Sequence, residues 1–143
     1  MYTTIQELLD EVKSKGSDQE KINCLKLLGN KNPALKLFLK WAYFNTKSPT
    51  FKNIPDYKPN MVDITFSYIK LEKALISLKY FFEGPDFVSQ DKKRTDKLLT
   101  ILEEISWLEA PIFEKLVMNE YKDNELPIKI VQTAFPELKE DVN

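Results

Sequence analysis

The residue types that most often perform catalysis are scarce in this sequence. It contains no histidine, which removes the commonest general base and the commonest metal ligand. Its three glycines, Gly16, Gly29 and Gly84, stand too far apart to form a glycine-rich phosphate loop. The single cysteine, Cys24, falls between Ile22 and Leu25 on a helical pattern with no basic partner beside it, and reads as a buried structural thiol. Carboxylates are plentiful but do not converge. Glu103 and Glu104 are neighbours in a predicted helix and point about 100° apart, so they cannot share one metal. Pro85-Asp86 with the later Glu137-Leu138-Lys139 follows the order of a two-metal nuclease, yet that chemistry sets its acids on adjoining strands and none is predicted. The residues point away from an enzyme: no catalytic residue, metal ligand, cofactor or small-molecule substrate is expected.

Basic side chains offer a different chemistry. Lys92, Lys93, Arg94 and Lys97 gather at the polar front of one predicted helix, interrupted by Asp91 and Asp96. Lys36 and Lys40 lie one turn apart on another, leading toward Lys47, Lys52 and Lys58 in a loop that also carries Phe51 and Tyr57. Such groups can contact phosphates while aromatic rings pack nearby, although a short run of lysines is also the ordinary make-up of a solvated face. The whole chain balances 21 basic against 22 acidic residues, a net charge of −1. A dedicated nucleic-acid binder is usually basic, because neutralising phosphates releases counterions, so phosphate contact here needs a local patch.

The elements that must position these residues are helical. Ile5, Leu8, Leu9 and Val12 predict a first helix that starts near Thr3 or Thr4 and ends at Gly16. Ser17 with Glu20 is a capping box opening a second helix, with Ile22, Leu25 and Leu28 inside and Gly29-Asn30 as its close. Asn32-Pro33 starts a third, with Leu35, Phe38, Leu39 and Ala42 as its stripe. Prolines 49, 55 and 59 exclude a helix over 45–65, and the length of that loop marks it as a surface segment pinned by aromatics. A long helix is expected from Thr65 or Ser67 to Phe82, marked by Tyr68, Leu71, Leu75 and Leu78, then a fifth over about 88–105. Pro111 and Pro127 start a sixth and a seventh, Asp123-Asn124 turns between them, and the tail over 138–143 frays. The expected architecture is all-α, one domain over 1–143 with about seven helices.

Composition agrees with a globular chain: 43% hydrophobic and 30% charged residues over 143 positions can bury a core. No apolar stretch approaches the roughly 20 residues of a membrane span. Met1 through Asp10 carries neither a basic leader nor an apolar run, and the lone cysteine fits a reducing compartment, so the cytoplasm is the expected location.

Several stretches carry a resemblance. Leu9-Asp10-Glu11-Val12 through Gly16-Ser17, Asn30-Lys31-Asn32 and Tyr43 near the end of the third helix resemble the opening of the N-terminal DNA-binding domain of T-even-type phage ATP-dependent DNA ligases. Leu102-Glu103-Glu104-Ile105, Leu116-Val117-Met118, and Ile130-Val131-Gln132 through Phe135-Pro136-Glu137-Leu138 resemble its close. A nearer similarity is to a family of small proteins of tailed phages of that type, through Leu8-Leu9-Asp10-Glu11, Tyr57-Lys58-Pro59-Asn60, Tyr80-Phe81, Glu83-Gly84 and Ala134-Phe135-Pro136. The resemblance implies a helical domain that grips duplex DNA through phosphates. It does not imply ligation, since the Lys-x-Asp-Gly motif of the catalytic part is absent from this sequence.

The chain also departs from that pattern. Trp107-Leu108-Glu109-Ala110-Pro111 stands where the ligases have a Gly- and Lys-rich turn, Glu114 and Lys115 stand where they have arginines, and Asp123-Asn124-Glu125 replaces a small-residue turn. Asn124 can adopt a left-handed conformation as glycine would, but Glu120, Asp123 and Glu125 repel phosphate. Two readings follow. The first is a non-catalytic phage accessory that binds duplex DNA, nicked duplex included, without base specificity through Lys36, Lys40, Lys47, Lys52, Lys92, Lys93 and Arg94. The second is an interaction module that redirects or inhibits a host or phage replication, transcription or defence protein. Its interface would be the acidic C-terminal surface and the aromatic loop, with an exposed apolar patch around Trp41, Phe44 or Trp107 as its sign.

Overall fold

Thr4 begins the first helix with a reciprocal cap: its hydroxyl accepts from the Glu7 amide at 3.0 Å, and the Glu7 carboxylate accepts from the Thr4 amide at 3.1 Å. This capping box leads into α1 (Ile5–Lys13), whose Ile5, Leu8, Leu9 and Val12 are all buried. The computed structural model describes residues 3–139. They divide into two units, one drawn from the chain up to Thr46 together with the chain from Lys122 onward, the other being Lys47–Tyr121. Among the described residues there are seven α-helices and no strand, so the all-α expectation holds.

In the first unit, Ser17 caps α2 (Asp18–Lys31) by accepting from the Glu20 amide at 3.2 Å, while its hydroxyl donates to the Glu20 carboxylate. The box is therefore closed side chain to side chain. Expected to stop at Gly29, α2 instead runs on to Lys31, and Gly29 sits inside the helix under the ring of Phe135. Asn32 ends α2 by donating from its side chain to the Leu28 carbonyl at 2.8 Å. Pro33 then occupies the first turn of α3 (Pro33–Phe44), where a missing amide costs nothing. After Asp123–Leu126, which turns through an amide bond back to the Asp123 carbonyl, come α7 (Ile128–Ala134) and a 3-10 turn, Pro136–Lys139. Leu138 is buried, so the tail expected to fray from 138 is anchored through that residue; residues 140–143 of the expectation lie outside the described residues.

α2 packs on α1, α3 and α7. The returning segment is tied down by polar bonds: Lys13 to the Asp123 carboxylate at 2.8 Å and the Tyr43 hydroxyl to the Leu126 carbonyl at 2.7 Å. Leu25, Leu35, Phe38, Leu39 and Val131 are wholly buried.

The second unit opens on the proline-rich loop. Phe51 lies 5.9 Å from the Phe81 ring, and the Tyr57 hydroxyl donates to Glu114 at 2.7 Å, so aromatics do pin the loop. The long helix expected from residue 65 or 67 is broken. A 3-10 turn spans Ile64–Phe66, residues 67–70 carry no helix, and helix proper starts at α4 (Leu71–Ala74), continuing as a 3-10 segment, Leu75–Tyr80. Long-range pairing displaced the local preference, since residues 60–69 are bonded to the chain around residues 104–107. Leu71, Leu75, Leu78 and Phe82 are buried as their spacing implied, whereas Tyr68, read as part of the same stripe, is exposed. α5 (Asp91–Glu104) and α6 (Ala110–Val117) form where expected. Just past α6, Asn119 has a left-handed φ of 52° and its amide returns to the Leu116 carbonyl. That conformation falls on Asn119 and not on Asn124, whose residue type also permits it.

Candidate interaction surface

The basic residues singled out by the sequence meet different fates. Lys36 and Lys40 belong to the first unit, both half-buried; Lys36 pairs with Glu137 at 3.3 Å and lies 4.9 Å from the Phe135 ring. Lys47, Lys52, Lys92, Lys93 and Arg94 belong to the second unit. The Lys47 ammonium donates to the Glu83 carbonyl at 2.6 Å. Lys52, Lys92 and Lys93 are exposed, and Lys97 follows on the same helix end.

Arg94 departs most from the expectation of phosphate contact. It is buried, and its guanidinium donates to the carbonyls of Val88, Ser89 and Thr50 and to Asp91. The rings of Phe51 and Phe87 lie 5.3 and 5.2 Å from its centre. With both terminal nitrogens so occupied and Nε buried, the guanidinium holds the loop to the front of α5 and has little left to offer a phosphate. It also brings Lys52, next to Phe51, toward the end of α5 that carries Lys92 and Lys93. Sequence reasoning missed Lys79, which with Lys97 flanks Tyr80, at 5.3 and 4.4 Å from its ring. Charge is balanced within each unit: 11 basic against 12 acidic residues over Lys47–Tyr121, leaving 10 and 10 for the remainder.

Cys24 is half-buried where a buried thiol was expected. Burial, and then the Glu11 carboxylate, push its thiol up against the opposing effect of Lys15, so it is no activated nucleophile. Among the described residues no three His, Cys, Asp or Glu side chains gather as metal ligands would. No described helix is long and apolar enough to cross a membrane.

What the second unit does present is an apolar arch over residues 60–69. Its first foot is Asn60, whose carbonyl accepts from the Trp107 amide at 2.9 Å and whose side chain donates to the Glu104 carbonyl at 3.0 Å. The other foot is Ile69, paired with Ile105. Between them, the fully buried Ser106 reaches up, its hydroxyl donating to the Val62 carbonyl at 3.2 Å and accepting from the Leu108 amide. The crown is a self-contained turn: Asp63 accepts from the Thr65 amide, and that bond holds its carboxyl below the ordinary value. Ser67, buried, donates to the Ile64 carbonyl.

With the segment held in this way, its large side chains are turned out. Phe66 is 79% exposed, Tyr68 88%, Met61 70% and Trp107 44%, with Val62 and Leu108 exposed beside them. Trp41 and Phe44, the other aromatics named as patch candidates, are half-buried and buried. At the first foot a recess of about 450 Å³ is lined by Lys58, Pro59, Asn60, Met61 and Glu103. Glu103 is tied to this rim by accepting the Lys58 amide at 3.2 Å. Beneath the arch Glu109 is buried; one carboxylate oxygen accepts the first amide of α4, from Leu71, at 3.0 Å, and the other has no partner among the described residues.

Compared with known proteins, the chain matches no protein-family model and no curated protein.

Proposed function

We propose that this chain is a non-catalytic binding module whose docking surface is the apolar arch over residues 60–69 with Trp107 and Leu108. The observation that carries this reading is the outward display of Met61, Phe66, Tyr68 and Trp107 on a segment whose feet are bonded to the chain at 104–107. At the observed exposures the six apolar side chains offer on the order of 700 Å², taking about 200 Å² for a full aromatic. Apolar residues scattered singly are ordinary on a surface, whereas six within 61–68 and 107–108 are a concentration of them. Rigid aromatics of this kind are the usual anchors of protein interfaces, because they bury much area and lose little entropy. Site-specific photo-crosslinking tests the reading in the host cell. A crosslinker at residue 66 or 68 should give a defined protein adduct and one at residue 92 should not; adducts equally abundant at all three positions would refute it.

A second reading has its own observation. Lys92, Lys93 and Lys97 are exposed at one end of α5, and none of the three forms a salt bridge among the described residues. Duplex DNA held through phosphates, as the ligase resemblance implies, would use them together with Lys52. Anisotropy with a labelled nicked duplex at about 50 and about 200 mM salt tests it, since phosphate contacts weaken steeply as salt rises. Binding at the lower salt that Lys92→Glu with Lys93→Glu abolishes supports this reading, and no binding there removes it.

A further inference from the structure

We infer that the occupant of the arch is a second copy of this chain, docked by a two-fold axis. This inference rests on the protein-docking reading above and names the partner.

Three features of the surface carry it. First, knob and recess lie on the same patch. Phe66 and Tyr68 project from the crown, while the recess of about 450 Å³ opens at the foot beside Met61. In a two-fold interface the same patch faces itself, so each protruding group needs a hollow elsewhere on that patch. A flat or purely convex apolar patch would not meet that condition. Second, both signs of charge sit on one rim. Lys58 and Glu103 flank the recess and Asp63 sits on the crown, all exposed. A two-fold rotation brings groups of one rim against those of the other copy, and a mixed rim can pair with itself where a single-sign rim would repel. The chain's net charge of −1 adds little long-range repulsion between copies. Third, the exposed surface of these six residues, on the order of 700 Å² counting their polar and main-chain atoms, is close to the roughly 800 Å² of total surface that each partner contributes to a standard interface. Nucleic acid fits this surface poorly, because an apolar crown whose rim sets Lys58 against Asp63 and Glu103 offers phosphates no net positive patch. The same balance gives an anionic lipid surface nothing to hold it.

Sedimentation equilibrium of the full chain, from low micromolar to several hundred micromolar, tests the inference. The apparent mass should rise with concentration from 16.8 kDa toward twice that value. Phe66→Asp should weaken the dimer at least about thirtyfold, as loss of a central anchor does. Both Phe66 and Tyr68 are exposed, so circular dichroism should be unchanged; should Phe66→Asp misfold, Met61→Ser at the recess provides the same reading. A crosslinker at residue 66 should, in purified protein, join two copies through the segment 58–63. A mass of 16.8 kDa throughout, or a dimer indifferent to Phe66, Met61 and Tyr68, overturns the second copy as occupant. In the first case, a defined heterologous adduct at residue 66 in cells keeps the docking reading while the self-association fails. Absence of any adduct there, or adducts to lipid or DNA instead, ends both.

Discussion

Gly29 and Phe135 are in closer contact than any other residue at position 29 would allow. A Cβ built on Gly29 would stand 2.5 Å from Cζ and 2.7 Å from Cε2 of the Phe135 ring. α2 therefore carries a glycine in its interior, against its helix propensity, so that the ring following α7 can lie on its backbone. Gly29→Ala gains about 1 kcal/mol of helix propensity but overpacks a buried ring, which costs about 1–3 kcal/mol. The urea midpoint should fall, and Phe135→Leu in the alanine variant should recover part of the loss. A midpoint raised by alanine would show that the ring moves aside freely.

Arg94 is a structural residue. Replacing it with lysine keeps the charge but loses the planar fork that reaches the Val88, Ser89 and Thr50 carbonyls together, and its stacking against Phe51 and Phe87. We expect Arg94→Lys to destabilise by about 2–4 kcal/mol. Asp91→Ala removes a carboxylate that is itself 91% exposed and should cost less than about 1 kcal/mol. Alanine at Lys92 or Lys93 should stay within about 0.5 kcal/mol of the parent. Thermal unfolding of the four variants checks the ranking, and an Arg94→Lys chain as stable as the parent would sink the assignment.

These two cases show where the sequence was legible. α1, α2, α3, α5, α6 and α7 announce themselves through local signals: caps at Thr4 and Ser17, prolines 33 and 111 in first turns, apolar residues three and four apart. The misreadings share one cause. Gly29 reads as a stop because its reason, the Phe135 ring, is far away in the chain. Arg94 reads as a member of a lysine cluster because Phe51 and Phe87, which enclose it, carry no mark of doing so. Tyr68 continues the spacing of Leu71, Leu75 and Leu78, yet Asn60 and Ile69 are bonded to the chain at 104–107 and prevent the helix from starting before residue 71. Trp107 could be placed neither inside nor outside from spacing alone. The arch was hidden for the same reason, since its feet are set by non-local bonds.

Glu109 gives the second unit a pH dependence of unusual sign. Burial raises its carboxyl above the ordinary 4.5, against the opposing pull of the Leu71 amide and of Lys70, with Glu72 adding to the rise. The folded state then holds the proton more tightly than the unfolded one, so this residue's contribution is most favourable below pH 4.5 and declines as pH rises through the raised folded value. Glu109→Gln keeps an acceptor for the Leu71 amide and removes the buried charge. It should be more stable than the parent at pH 7, with the advantage shrinking toward pH 4.5. Glu109→Ala, which leaves the first amide of α4 without this acceptor, should lose about 1–2 kcal/mol. Urea titrations of the three chains at several pH values decide the matter; a Gln variant whose difference from the parent ignores pH would show that the carboxyl titrates normally.

The arch separates a supporting part from a displayed part, and stability measurements should separate them too. Asn60 and Ser106 carry the side-chain bonds at its feet, to the Glu104 and Val62 carbonyls, and Ser106 is completely buried. Asn60→Ala and Ser106→Ala should each cost about 1–2 kcal/mol and speed hydrogen exchange at the Ile69 and Trp107 amides, which bond across the feet. Phe66→Ser and Tyr68→Ser remove larger side chains, yet each should change stability by no more than about 0.5 kcal/mol, because neither ring is packed in the folded monomer. Should Phe66→Ser unfold the chain as readily as Asn60→Ala, the ring supports the arch and is not free for a partner. A stable Phe66→Ser chain that has lost association would instead show that the exposed aromatics are kept for binding, since the fold does not need them.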